Sequence, residues 1–88
     1  MRIKEGYIIK KLGSGYVVVT VGQAGKDFNG MIRLNTTGAF LWNRILEGDD
    51  SRQKIIRSMT GYYAGLDEET AGADLEEFLD KISFAIEE

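Results

Sequence analysis

Residues 32–42 read IRLNTTGAFLW, and this stretch decides where the chain changes from strand to helix. The short apolar run Met31 to Leu34 has the length and composition of a strand. Asn35 or Thr36 follows immediately, and side chains of these types cap helix N-termini. Beyond the cap, apolar residues recur with helical spacing until Gly48, at Leu41, Trp42, Ile45 and Leu46. The stretch predicts a strand over 31–34 and a helix that ends at Gly48.

The residues before this stretch predict a β-hairpin. Tyr7 to Leu12 and Tyr16 to Val21 are rich in β-branched and aromatic side chains. Gly13-Ser14-Gly15 lies between them and has the composition of a tight turn. Residues 22–30, with three glycines, are predicted to be a loop.

The residues after it predict two more helices. Asp50 or Ser51 caps the second helix, which ends at Gly65, and Asp67 caps the third. An apolar stripe extends the third helix to residue 86, through Ala71, Leu75, Phe78, Leu79, Ile82, Ala85 and Ile86. The order is β-β-β-α-α-α. We therefore predict one α+β domain over 1–88, winged-helix-like, with a three-stranded antiparallel sheet followed by a three-helix bundle.

The composition excludes several classes of active site. The 88 residues include no Cys, no His and no Pro. A disulfide, a thiolate metal site and a Ser-His-Asp triad therefore cannot form. We expect no catalytic residue, no metal site and no cofactor. With neither a signal peptide nor an apolar run long enough to span a bilayer, a cytoplasmic protein without membrane contact is expected.

Charge is divided unevenly along the chain. Residues 1–60 contain ten basic and five acidic side chains, a net of +5, whereas residues 61–88 contain one basic and nine acidic ones, a net of -8. An acidic third helix repels phosphate, so nucleic acid is not the expected partner. A winged-helix nucleic-acid binder stays open as the alternative, with the second helix and its Arg52, Lys54 and Arg57 as the reading element.

The third strand is expected to leave an open sheet edge. Its outer N–H and C=O groups would lack partners, and the chain has no Pro to block them. Such an edge can accept a peptide strand, and it can also pair with a second copy in a homodimer. Pro at Ile32 is predicted to abolish strand addition by removing a ladder donor. On the third helix, Asp74, Glu77 and Lys81 share one face, which predicts an exposed Glu77–Lys81 pair.

Four motifs in order give the chain a family resemblance. The run Ile32 to Trp42, Leu46-Glu47-Gly48, Tyr62-Tyr63 and Asp74 to Leu79 together resemble the PqqD family. The resemblance implies a small winged-helix-like protein without catalysis or a cofactor of its own. It also implies binding of the leader part of a ribosomally made precursor peptide. The leader is then presented to a modifying enzyme, often a radical SAM maturase.

The resemblance also implies a peptide-binding site. The leader would lie as an added strand on the backbone of Met31, Ile32, Arg33 and Leu34, over a groove formed with the third helix. From that helix, Asp74 would provide a polar register contact, Phe78 an apolar pocket and Lys81 a second polar contact.

Overall fold

The computed structural model describes residues 1–27 and 30–87. The elements in chain order are β1 (Arg2–Ile3), β2 (Tyr7–Leu12), β3 (Gly15–Thr20), α1 (Ala24–Asp27), β4 (Ile32–Leu34), α2 (Thr36–Leu46), α3 (Arg52–Tyr62), α4 (Glu68–Lys81), a 3-10 turn (Ser83–Ala85) and β5 (Ile86–Glu87). The α+β prediction is confirmed, since an antiparallel sheet with the order β2-β3-β4 precedes the three main helices.

The hairpin β2–β3 is closed by a two-residue turn. Leu12 pairs with Gly15, so only Gly13 and Ser14 lie in the loop, and Gly13 has a φ of 62°. Glycine at the first loop position with positive φ is typical of a type II′ turn, which matches the twist of the strands. Because the loop is this short, β3 starts at Gly15 and ends at Thr20, one residue earlier than predicted.

Each main helix begins at a side-chain cap. Asn35 Oδ1 accepts a hydrogen bond from Gly38 N at 2.8 Å, and Asp67 Oδ1 accepts one from Thr70 N at 2.7 Å. Ser51 Oγ accepts one from Lys54 N at 3.2 Å. These caps occupy N–H groups that have no partner within the helix. The three predicted helix starts are confirmed, with Asn35 and Ser51 as the capping residues of the first two.

Other predicted element boundaries also differ from the structure, and α3 ends at Tyr62, before the predicted Gly65. A one-turn helix, α1, occupies part of the predicted loop 22–30, and Met31 precedes β4 instead of belonging to it. Helix α4 stops at Lys81 although its apolar spacing continues to residue 86. After the 3-10 turn, Ile86 and Glu87 pair with Ile3 and Arg2 in a second, two-stranded sheet. Ladder bonds with the other end of the chain replace the last helical turn there.

The helices cover one face of the three-stranded sheet. Trp42, Ile55, Met59, Leu75 and Ile82 are completely buried, and Val18 joins them from the inner face of the sheet. The outer face has no covering helix among the described residues, and Ile8 and Leu12 are exposed on it. Val17 is nevertheless buried because it lies in register between Lys10 and Arg33, whose long side chains flank it.

A polar network joins α2 to α3. Arg44 Nε donates to Asp49 Oδ2 at 3.1 Å, and Ser58 Oγ donates to the same oxygen at 2.7 Å. The hydrogen bond from Arg44 lowers the pKa of the Asp49 carboxyl below its ordinary value. These three residues, which we call the α2–α3 corner, fix the turn between the two helices.

Candidate functional site

A groove of about 230 Å³ opens where β4 ends, between the start of α2 and the side of α4. We call it the helix groove. Its lining from β4 and α2 consists of Leu34, Asn35, Thr37, Gly38 and Leu41. Its lining from α4 consists of Asp74, Glu77, Phe78 and Lys81. Leu34, Leu41 and Phe78 are buried and form an apolar floor, whereas the three charged residues of α4 are exposed at the rim.

Glycine at position 38 allows the start of α2 to lie against β4. A Cβ atom at Gly38 would be 3.2 Å from the Leu34 Cβ and 3.3 Å from the Leu34 Cδ2. Asn35 holds this turn in place by capping the Gly38 N–H. The sequence Leu34-Asn35-Thr36-Thr37-Gly38 therefore ends the strand, caps the helix and shapes the groove.

The rim charges of the helix groove are not paired with one another. Asp74, Glu77 and Lys81 form no ion pair within 4 Å across residues 1–27 and 30–87. The predicted Glu77–Lys81 pair is therefore wrong, although the residues share a helix face. Elsewhere on α4, Glu76 does form an ion pair, with Arg52 of α3. Charges on the groove side of the helix are thus available to a partner.

A second cavity adjoins the first at the tip of the hairpin. This hairpin pocket has a volume of about 430 Å³ and shares Leu34, Asn35 and Lys81 with the lining of the helix groove. Its remaining lining is Leu12, Ser14, Gly15, Tyr16, Val17, Arg33 and Thr36. Arg33, like Lys81, has no ion-pair partner in the part of the chain that the structure describes. Because the two cavities share lining residues, we treat them as one depression, in which Asp74 and Glu77 line only the helix groove and Arg33 lines only the hairpin pocket.

The hydrogen-bond pattern of the sheet identifies which backbone groups face the open edge. Val21 N donates to Gly6 O at 2.8 Å, so residues 6 and 21 form a hydrogen-bonded pair. Such pairs alternate along an antiparallel ladder, so Val17 bonds toward β2, while Tyr16 and Val18 bond toward β4.

The partners of Tyr16 and Val18 on β4 are Leu34 and Ile32, so these two residues direct their N–H and C=O groups at β3. Arg33 directs its backbone N–H and C=O groups away from β3, toward the sheet edge that has no partner among the described strands. The predicted role of Ile32 as a ladder donor to a guest is therefore wrong. The Ile32 N–H is directed at β3, and Arg33 is the residue of β4 whose backbone N–H and C=O face the open edge.

The structure brings together only some of the residues that the sequence predicted for a site. Leu34, Asp74, Phe78 and Lys81 meet in the helix groove, and Arg33 joins Lys81 in the hairpin pocket. Met31, with 56% of its surface exposed, and Ile32, half-buried, line neither cavity.

Other residues of the groove were missed. Asn35, Thr37, Gly38 and Leu41 were interpreted only as a cap and the start of a helix, and Glu77 as part of an exposed pair. The glycine inside the first helical turn was the available signal, because glycine has no Cβ atom and allows another segment to approach closely. Among the aromatic residues, Trp42 is buried in the core, whereas Tyr62 is 69% exposed and stacks on Phe40.

A metal-binding cluster and a membrane-spanning helix are both absent from the part of the chain that the structure describes. Residues 1–27 and 30–87 contain no group of three or more acidic side chains placed to hold a metal ion. No helix within these ranges is both long enough and apolar enough to cross a membrane.

Comparison with known proteins places the chain in a family. No curated protein sequence matches it. Its fold is similar to that of the solved structure "TbiB1 in Complex with the TbiA(beta) Leader Peptide", with a TM-score of 0.73 and 21% sequence identity. That match covers 96% of this chain and 90% of TbiB1. The family model "Coenzyme PQQ synthesis protein D (PqqD)" matches residues 9–83, which is most of the sequence. The chain belongs to the PqqD family.

Proposed function

We propose that this protein binds the leader segment of a ribosomally synthesised precursor peptide and presents it to a modifying enzyme, such as a radical SAM maturase. The observation that carries the proposal is the position of the open edge. The backbone of Arg33 faces away from the sheet, and the strand ends at a groove with an apolar floor. A peptide added to this edge gains main-chain hydrogen bonds, and its side chains reach the floor.

The proposal agrees with the relatives of the chain. It is a member of the PqqD family, and the similar TbiB1 structure is described as a complex with a leader peptide. We transfer leader binding from that complex to the edge and groove of this protein.

Each residue of the proposed site has a physical role. The backbone of Arg33 forms the ladder, and Ile32 and Leu34 keep β4 in register against β3. Phe78 is 6% exposed and receives an apolar side chain of the leader. Asp74 and Lys81 stand at the rim, where they contact polar side chains and select the register of the peptide.

The protein itself acts as an adaptor in this proposal. The modifying enzyme carries out the chemistry. The adaptor is a single domain, lies in the cytoplasm and has no cofactor of its own. Nucleic acid is not the favoured ligand, because α4 has acidic residues in its first turn, Glu68 and Glu69, and further ones at Asp74, Glu76 and Glu77. Such a helix repels phosphate.

The test is a binding titration with a backbone scan. The probe is the fluorescently labelled leader encoded in the precursor reading frame nearest to this gene, measured by anisotropy. We expect saturable binding. A series of the same leader with single N-methylated backbone amides should then lose affinity at alternate positions along one short segment, because only alternate N–H groups of an added strand point at β4.

Two outcomes would contradict the proposal. If the leader does not bind at protein concentrations of tens of micromolar, the proposal of leader recognition is wrong. Binding that tolerates every N-methyl group would leave recognition in place but exclude strand addition. Duplex DNA at low salt is the comparison ligand, and it is expected to cause no change in a gel-shift experiment.

A further inference from the structure

The acidic and basic residues of the depression beside β4 are distributed unevenly between its two cavities. We infer that the guest strand has an acidic residue beside Arg33, an apolar residue above Leu34 and Phe78, and a basic residue beside Asp74 and Glu77. This inference rests on the proposed function, because it describes the peptide that the added strand would be. It follows from the direction of the Arg33 backbone and the placement of four unpaired charges.

The acidic position follows from the ladder. A guest residue opposite Arg33 forms a hydrogen-bonded pair with it, and the two side chains then point to the same face of the sheet. Arg33 and Lys81 both line the hairpin pocket, and neither has an ion-pair partner within residues 1–27 and 30–87. A carboxylate at this guest position would lie beside the Arg33 guanidinium, in a pocket that Lys81 also lines.

The apolar position is the next residue of the guest. Successive side chains of a strand alternate between faces, so the residue opposite Leu34 points inward. There it meets the floor of the helix groove, where Leu34, Leu41 and Phe78 are all buried. Removal of an apolar side chain from water at this point anchors the register of the peptide.

The basic position lies farther along the same direction. Asp74 precedes Lys81 by seven residues, about 10 Å along a helix, and an extended peptide crosses this distance in about three residues. A guest side chain that points inward two residues beyond the apolar one therefore reaches the end of the groove where Asp74 and Glu77 stand. The aliphatic stem of Lys or Arg can pack on the apolar floor while its charge meets the carboxylates.

The resulting pattern is acidic–apolar–any–basic for a guest parallel to β4. For an antiparallel guest it is the reverse, basic–any–apolar–acidic. The charged residues of the groove are exposed, and exposed ion pairs are weak and screened by salt. We expect the correct charge pattern to raise affinity by roughly 3- to 10-fold at low ionic strength, and less at high salt.

The test uses six short labelled peptides in anisotropy titrations. Thr-Val-Glu-Leu-Thr-Lys-Val-Thr has the parallel pattern and Thr-Val-Lys-Thr-Leu-Glu-Val-Thr the antiparallel one. Each is compared with a version in which the two charges are exchanged and a version with Gln at both positions. For one of the two patterns, the peptide as written should bind most tightly and its charge-exchanged version most weakly.

A charge-reversed groove provides the decisive comparison. The quadruple variant Arg33→Glu, Lys81→Glu, Asp74→Lys, Glu77→Lys conserves net charge and should invert the preference between the two charged versions. The control variant Asp50→Lys, Lys54→Asp exchanges an ion pair remote from the groove lining and should leave the preference unchanged. Circular dichroism confirms that both variants are folded.

Failure of this inference is distinguishable from failure of the proposed function. If the Gln peptides bind as tightly as the charged ones, or if the quadruple variant keeps the original preference, the charge pattern is wrong while leader binding stands. If the natural leader binds and none of the six peptides does, the pattern is also wrong. If neither the leader nor any short peptide binds, the proposed function fails.

Discussion

The α2–α3 corner and the helix groove are both lined by charged side chains, but they use these charges in opposite ways. At the corner, Arg44, Asp49 and Ser58 satisfy one another at distances of 2.7 to 3.1 Å. In the groove, Asp74 and Lys81 have no ion-pair partner among the described residues. The corner therefore contributes to folding, whereas the groove keeps its charged groups free of internal ion pairs, which in our proposal leaves them to the leader.

The difference has a structural origin. Asp49 lies in the turn between two helices, and its side chain is only 16% exposed, so an internal partner must replace the lost water. The groove charges project from the outside of α4 into solvent and lose little by remaining unpaired. Stability and binding are thus assigned to different polar residues, and substitutions can separate them.

The largest effects are expected from proline in β4. Arg33→Pro removes an N–H that points at the open edge, so the sheet keeps its ladder and the leader loses a main-chain bond. We expect at least about a tenfold loss of leader affinity, with the fold retained. Arg33→Ala is the control, because it removes the same side chain and keeps the N–H. Equal affinities of the two variants for the leader would show that the edge is not used.

Ile32→Pro tests the other side of the same strand. The Ile32 N–H bonds toward β3, so its loss weakens the sheet itself, by about 1–3 kcal/mol of unfolding free energy. Urea denaturation followed by circular dichroism measures this loss. A fully stable Ile32→Pro variant would contradict the ladder assignment.

Substitutions of two aspartates, one in each region, are expected to separate the effect on stability from the effect on leader binding. Asp49→Ala removes the acceptor shared by Arg44 and Ser58 and is expected to lower the free energy of unfolding by about 1–2 kcal/mol, without an effect on leader affinity. Asp74→Ala should change stability by less than about 0.5 kcal/mol but alter leader affinity. Urea unfolding and anisotropy are measured on both variants. If Asp74→Ala lowers the free energy of unfolding more than Asp49→Ala does, the assignment of stability to the corner and of binding to the groove is wrong.

Acid is expected to weaken the corner. The pKa of Asp49 is lowered in the folded protein, chiefly by the hydrogen bond from Arg44. Its contribution to stability is therefore present above the unfolded carboxyl pKa of about 3.9, and it is lost as the pH falls through the lower folded value. The difference in unfolding free energy between the protein and Asp49→Asn should narrow from pH 5 toward about pH 2. A difference that stays constant would exclude this linkage.

The smallest effects are expected at two helical glycines. Gly61 has open space around its Cβ position, so Gly61→Ala should stabilise α3 by about 0.5–1 kcal/mol. Gly38→Ala gains the same helix propensity but crowds Leu34, so we expect no net gain and a few-fold loss of leader affinity. Thermal unfolding and anisotropy are measured for both variants. Equal stabilisation by the two substitutions would show that the contact at Gly38 relaxes freely.

Much of the local structure could be predicted from short-range patterns. The three caps, the hairpin turn and the order of the main elements depend on neighbouring residues, and each was found where its residue type indicated. The end of α4 could not be predicted in this way. The spacing of Ala85 and Ile86 fits a helix, but pairing of Ile86 with Ile3 joins residues from opposite ends of the chain.

The site was predicted only in part for the same reason. Asp74, Phe78 and Lys81 were expected from the family resemblance, with Phe78 in the apolar stripe of the helix and the two charged residues beside it. Gly38 and Thr37 enter the groove only because α2 packs beside α4. Whether Ile32 or Arg33 faces a guest depends on which residues of β4 form hydrogen-bonded pairs with β3. The side-chain types of these residues do not indicate this.

By itself, the sequence determined an α+β fold, the positions of its turns and caps, and an open third strand in a chain without proline, cysteine or histidine. These features depend on local backbone preferences and composition. Only the tertiary structure decided that Arg33 faces the edge, that Asp74 lines only the helix groove while Lys81 lines both cavities, and that Glu77 leaves Lys81 unpaired. These three features depend on how segments distant in the sequence pack against one another, and no single segment determines them.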